Sequence, residues 1–500
     1  MLKLLNKKLH TPTWLFVLLV VVLILRVPSL FEPYSYGDEM IYLTLGEAIR
    51  NGIPLYKGIH DNKPPLLYVL AAAAGSLFWF KAILTIWILV TIYLFWKLTQ
   101  VLFKKKNKAQ IIATIIFAIL TTIPLLEGNI ANAELFMIGP TILAFYLLLS
   151  KKPTTKNLIY SGLLFSIASL FKIPAAFDVP AIVLYWLFNQ KKLDKKSLLK
   201  ITKRTLILGA AFLTPIAITF VWFLLKGAFK EYLVAAFLQN FGYLSSWRPS
   251  DTQKPFLVKN GPLLIRAGVI ALASLTLFKL RRKLSKQYLF TTAWLFLTLF
   301  AVTLSERPYP HYLIQSVAPA SILLAMLFTR KSIEQVLVVV PLFFTAFVPV
   351  YYHFWHYPTF SYYQRFIKLA TGSISKEEYL NTFGSQVPRN YKLAGFITSS
   401  TKPYEKIFVW GDGVPVYALS RRLPPGKYVA DYHIKDFSSD QEVISSLRKD
   451  EPSLVVILPD SNPFPELEYF VRKNYGLTEN IDGAEVWKLL SPQVRSLFSY

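Results

Sequence analysis

Eleven stretches of this chain are long and almost wholly apolar: 13–25, 83–103, 111–126, 135–149, 158–173, 175–188, 206–225, 263–278, 288–304, 312–328 and 336–352. A helix that crosses the hydrocarbon core of a bilayer needs roughly 20 predominantly apolar residues. Several of these stretches are shorter, so their ends are loose. Their number nevertheless implies a polytopic α-helical membrane protein with about 11 transmembrane helices. The first stretch follows Lys3, Lys7 and Lys8 and has no small-residue cleavage site after it, which reads as a retained signal anchor. Composition agrees: 54% of the residues are hydrophobic and 17% charged, where a soluble domain carries about a quarter charged residues.

Charge sets the orientation. The net charge of +26 is concentrated in residues 1–10, 104–108, 151–156, 191–204, 279–286 and 330–331, which hold 24 Lys and Arg against the single acid Asp194. Basic residues gathered in short loops between apolar helices follow the positive-inside pattern, so the N-terminus and these loops are expected in the cytoplasm. No nucleic-acid partner is expected, because the charge is split among inter-helix loops with no recognition module. The segments 31–65, 127–134, 226–259 and 305–311 are then forced to the opposite face. Residues 64–103 must cross a net once, so 64–80 is expected to form a juxtamembrane or re-entrant helix and 83–103 to make the crossing. The membrane expected is the plasma (inner) membrane.

After Tyr352 the composition changes. Residues 354–500 hold 17 basic against 16 acidic residues, an ordinary soluble surface. Strand-like 406–410 and 453–458 alternate with helical 414–420, 440–448 and 465–473. The expected organisation is a transmembrane domain over 1–353, with its first outer loop at about 31–65, and an extracytoplasmic α/β domain over 354–500. Cysteine is absent, so neither part is held by disulfides or thiolate-bound metal.

The polar residues forced to the outer face carry the candidate chemistry. The first outer loop contains Tyr36-Gly37-Asp38-Glu39, then Gly52-Ile53-Pro54-Leu55-Tyr56, then Asp61-Asn62-Lys63-Pro64-Pro65-Leu66-Leu67-Tyr68. A carboxylate near the low-dielectric boundary can act as a general base, and a neighbouring cation can stabilise charge developing on a phosphate. The same two acids would also serve simply to begin an interfacial helix, where the dipole favours them. Glu134, with Glu127 one or two turns earlier, reads either as part of a site or as loop solvation. Lys172, at the outer end of its helix, reads either as a ligand for an anion or as a snorkelling side chain. Asn240 to Trp247 and the run Arg307 to Tyr312 add aromatic and cationic groups that would also suit interfacial anchoring. Convergence on one face favours a site built from Asp38, Glu39, Lys63, Glu134, Lys172, Arg307 and His311, with Tyr42, Asn240 and Tyr309 as candidate substrate contacts. No phosphate loop, dinucleotide fingerprint, His-Glu-x-x-His or Asp-x-Asp pair is present, which disfavours an ATP-driven pump and an enzyme using a soluble nucleotide sugar.

The segment Tyr36 to Glu39, the Gly-x-Pro-x-Tyr turn, Lys63 to Tyr68, Leu170-Phe171-Lys172, Arg307 to Leu313 and Trp410 to Arg422 together resemble the GT-C glycosyltransferases. The group they resemble is the bacterial relatives of dolichyl-phosphate-mannose protein mannosyltransferases, which include the lipid A aminoarabinose transferase. The resemblance implies an inverting glycosyltransferase that takes a sugar from a polyprenyl-phosphate carrier and gives it to an acceptor hydroxyl on a lipid, glycan or protein. Asp38 would be the catalytic base, with Glu39 and Lys63 beside it. Lys63, Lys172, Arg307 and His311 would face the donor phosphate. Glu134 stands at the second-loop acid position, where several branches of the superfamily carry Asp, a departure that leaves the role of Glu134 and any divalent metal requirement open. A lipid or polysaccharide transporter and an inactive lipid-linked-sugar-binding relative are the alternatives. Transporters tend to show repeated halves and broken helices at mid-membrane, and no such repeat is evident.

Overall fold

The computed structural model describes residues 11–104, 106–150, 153–242, 255–328 and 332–497. Several basic residues used to assign orientation (Lys3, Lys7, Lys8, Lys105, Lys151, Lys152, Arg330, Lys331) and the segment 243–247 lie outside the described residues. Each apolar stretch falls on helix. Among the described residues, six helical segments are long and apolar enough to cross a membrane: Thr13–Phe31, Leu77–Leu102, Ala133–Ser150, Lys195–Leu225, Phe256–Leu280 and Ile333–Tyr351. The other five stretches form helices that miss that standard of length and hydropathy, among them Asn107–Leu120, Thr155–Phe171 and Ile314–Met326. Along Lys195–Leu225 and Phe256–Leu280 the side chains of Leu206, Ile218, Leu225, Leu257, Ile265 and Leu272 are exposed, an apolar surface suited to lipid. The helix Lys286–Thr303 is buried almost throughout. Its Trp294 donates an indole N–H to Asp178, and Gln315 donates to the same carboxyl at 2.9 Å.

Contacts divide the chain into two compact units, one of Met1–Ser29, Lys81–Trp222 and Phe237–Thr359, the other of Leu30–Phe80, Phe223–Ala236 and Phe360–Tyr500. The second unit thus takes in the first-loop segment together with the C-terminal part of the chain. Within it, 64–80 forms the nine-residue helix Leu66–Ala74, closed by Gly75 in the left-handed region (φ +68°). At 1.5 Å per residue that helix is about 14 Å long, too short to span.

The sheet of the second unit has four strands: β1 (Ile407–Trp410), β2 (Leu454–Ile457), β3 (Tyr475–Ile481) and β4 (Ala484–Leu489), in the order β1-β2-β4-β3. β1 and β2 are parallel, pairing Ile407 with Leu454, and the remaining pairs are antiparallel. Parallel neighbours need a crossover, and this one carries the helices Val414–Ser420, Asp431–Phe437 and Asp440–Lys449. Leu447, Val455, Leu467 and Val471 form the centre of the core on the sheet. The sequence reading found β1 and β2 but not the β3–β4 hairpin. Its signal was the dipeptide Asp482-Gly483, both residues at positive φ, which is the turn chemistry that matches strand twist.

Candidate active site

The first-loop candidates assemble inside the second unit. The helix Gly37–Arg50 opens with Asp38 and Glu39 in its first turn, where the N-terminal dipole favours anions. Successive residues on a helix point about 100° apart, so the two acids separate: Glu39 is 1% exposed, while the Asp38 side chain is 31% exposed. One turn later, buried Tyr42 donates its hydroxyl to Asp38 Oδ2 at 2.8 Å. The Leu66–Ala74 helix starts after Pro64-Pro65, residues with no N–H to leave unsatisfied at a helix start. It packs closely on the first helix: a Cβ on Gly46 would lie 2.7 Å from the backbone nitrogen of Ala72. That approach sets the rings of Tyr42 and Tyr68 6.0 Å apart.

Between the two helices the chain makes a tight return. Tyr56, at φ +70°, donates its backbone N–H to Ile59 O at 2.7 Å. Two tyrosines then hold the segment carrying Lys63. Tyr56 donates its hydroxyl to Lys63 O (2.8 Å), and Lys63 N–H donates to the Tyr68 oxygen (3.1 Å). Tyr68 in turn donates to Asp61 Oδ2 at 2.8 Å. Lys63 Nζ consequently lies 3.7 Å from both Asp38 Oδ2 and Asp61 Oδ2, and 5.0 Å from the Tyr42 ring centroid. Asp61 is fully buried, and burial pushes its carboxyl up. Lys63, His433 and the Tyr68 hydrogen bond outweigh that, and the group is held below the usual carboxylate range. Burial, followed by the charges of Asp38 and Asp61, pushes the Tyr42 phenol well up, so it remains a proton donor to Asp38.

A second cluster lies in the other unit. Glu127 sits in the left-handed region (φ +57°), unusual for a residue with a Cβ. The turn it begins is gripped by two buried cations: Arg26 donates to Gly128 O (2.8 Å) and Lys81 to Asn129 O (3.1 Å). Glu127 is bonded to His311 Nδ1, and the opposite ring nitrogen is 4.0 Å from Glu134. Lys172 is bonded to Glu134 and stands 3.8 Å from the Tyr312 ring centroid. Glu134, Lys172 and His311 are therefore brought together, with Lys172 already engaged by a carboxylate. Arg307 and Tyr309 are exposed, and Tyr309 stacks on His311 at 5.7 Å. Asn240 is half-buried in the short helix Gln239–Gly242.

Sequence reasoning quoted Asp61 in its first-loop motif without giving it a role, and passed over His433, Arg26 and Lys81. Asp61 had a local signal, an acid two residues before Lys63, whereas the other three gain meaning only from their partners. Among the described residues no group of three or more His, Asp or Glu side chains is arranged to hold a metal ion.

No family model matches the chain. No curated protein matches it either. Among solved structures, ArnT from Cupriavidus metallidurans bound to undecaprenyl phosphate is similar, with a TM-score of 0.56 over 96% of this chain and 98% of that one, at 12% identity. The chain shares the fold of that protein. The archaeal oligosaccharyltransferase AglB from Archaeoglobus fulgidus, in complex with an inhibitory peptide and a dolichol-phosphate, aligns at TM-score 0.46, covering 91% of this chain and 70% of that one at 13% identity. With six helices among the described residues long and apolar enough to cross a bilayer, the chain is a multi-pass membrane protein.

Proposed function

We propose that the protein is an inverting glycosyltransferase that moves a sugar from a polyprenyl-phosphate carrier to an acceptor hydroxyl on the outer face of the plasma membrane. The N-terminus lies in the cytoplasm and the C-terminal part outside, with about eleven crossings. The observation that carries the reading is the pairing of a part-exposed carboxylate, Asp38, with Lys63 at the head of the Gly37–Arg50 helix. A carboxylate so placed can take a proton, and a cation beside it can meet developing phosphate charge. The acceptor oxygen attacks the anomeric carbon as its proton passes to Asp38. The bond from that carbon to the phosphate oxygen breaks, and the polyprenyl phosphate leaves with the electron pair while Lys63 offsets its charge. The fold shared with ArnT, a protein seen with undecaprenyl phosphate bound, supports the lipid-phosphate class of donor.

The test uses purified protein in liposomes with synthetic polyprenyl-phosphate sugars, following both transferred sugar and lipid translocation. Asp38→Asn keeps the size and removes the base, so transfer should fall by about 10²-fold or more while expression and membrane insertion hold. Translocation without any glycosidic product would favour a transporter, and near-normal turnover by Asp38→Asn would remove the base assignment.

A further inference from the structure

We propose that His433, from the C-terminal part of the chain, is a positioning residue for the donor-phosphate cation Lys63 and acts on it through Asp61. The inference rests on the glycosyltransferase reading and adds a residue to its machinery.

Three observations carry it. First, the segment Lys427–Phe437 clamps the loop that bears Asp61. The backbone N–H of His60 donates to Lys427 O at 2.7 Å, and the His60 ring packs on Tyr428 and Phe437 at 5.2 and 5.4 Å between centroids. Second, His433 Nε2 lies 3.8 Å from Asp61 Oδ1, while Asp61 Oδ2 holds Tyr68 and stands 3.7 Å from Lys63 Nζ. The carboxylate is thus approached on Oδ1 by the C-terminal histidine, beside the 2.7 Å hydrogen bond that Oδ1 accepts from Asn62 N–H, and on Oδ2 by the lysine. Third, the ring sits among Tyr432, Phe437 and His60, surroundings that a phenyl group would satisfy. Its Nδ1 is buried without a hydrogen-bond partner among the described residues, which is costly for a polar ring. The contact with Asp61 is what an imidazole adds at this position.

Burial lowers the proton affinity of His433, although Asp61 opposes this, and its net value is below the ordinary histidine range. The neutral ring therefore works as a dipole directed at Asp61 rather than as a rival cation. It restrains the carboxylate without displacing Lys63, and Lys63 stays 3.7 Å from Asp38.

The experiment measures binding of undecaprenyl phosphate to the full-length protein in nanodiscs, with melting temperature recorded for every variant. His433→Phe preserves the packing and removes the dipole, so affinity should fall by about three- to fivefold, less than a strong hydrogen bond would give because Nε2 and Oδ1 are 3.8 Å apart. His433→Gln places an amide N–H near the position of Nε2 and should bind within about twofold of the parent on the same basis. In an Asp61→Asn background His433→Phe should have no further effect, because contacts made in series are non-additive. Equal loss from His433→Gln and His433→Phe, or full additivity with Asp61→Asn, would reduce His433 to a packing residue and overturn the proposal. So would unchanged affinity in His433→Phe. Absence of binding by the parent protein itself would instead overturn the lipid-phosphate reading on which the proposal rests.

Discussion

Asp38 and Glu39 are adjacent in sequence and differ in surroundings: the first is paired with Tyr42 and Lys63 at a part-exposed helix start, the second is buried. Side chains at this scale take their chemistry from what surrounds them. Lys172 illustrates the same point, because the charge that made it a candidate phosphate ligand is engaged by Glu134, a carboxylate only 3% exposed. Removing one partner of such a pair leaves the other charge poorly solvated, at a cost of about 3–5 kcal/mol, whereas replacing both with apolar groups is often close to neutral. Glu134→Gln is therefore expected to lower the melting temperature in detergent markedly. A combined Glu134→Leu and Lys172→Met variant should recover much of the loss. A double variant less stable than Glu134→Gln would mean that the pair contributes beyond its own compensation.

Between elements, the decisive contact is the backbone approach of the Gly37–Arg50 and Leu66–Ala74 helices at Gly46, where a methyl group would meet Ala72 N at 2.7 Å and the Ala71 carbonyl carbon at 2.8 Å. Backbone atoms cannot rotate aside as a flexible side chain would. Gly46→Ala should force the helices apart, cost about 1–3 kcal/mol as overpacking does, and draw Lys63 away from Asp38. The expected signature is a lowered melting temperature with a disproportionate loss of transfer. A variant with parental stability and turnover would show that the approach is not needed for the site. The turn Glu127 to Asn132 achieves its positioning differently, through carbonyls held by Arg26 and Lys81.

For the molecule as a whole, the basic loops and the apolar helices predict an orientation that chemistry can test, because the chain has no cysteine to interfere. Single cysteines at Ser35, Ser305 and Ser439 should react with a membrane-impermeant maleimide on intact cells, and cysteines at Asn107 or Ser197 should react only after permeabilisation. Labelling of Asn107 from outside would invert the loop assignment and move Asp38 to the opposite face. The same experiment bears on the crossings. Among the described residues six helices meet the length and hydropathy needed, and the positions on either side of Asn107–Leu120 and Lys286–Thr303 report whether the shorter or less apolar ones also pass through.

Local patterns made much of this protein legible from its residues. Continuous apolarity specified helices, since each backbone group satisfies its own hydrogen bonding within a segment. Short continuous apolar runs alternating with helical patterns located β1 (Ile407–Trp410), β2 (Leu454–Ile457) and the helices Val414–Ser420, Asp440–Lys449 and Pro465–Asn474. The Asp38 and Lys63 motifs stood out because acids and lysines beside apolar helices carry a solvation cost that the sequence displays openly. Tertiary structure alone decided which charges meet. Asp61 acquires His433 across the length of the second unit, and Glu127 acquires His311 across the first. No propensity or period encodes such pairs, because their stability comes from desolvation and geometry that exist only after distant segments have packed.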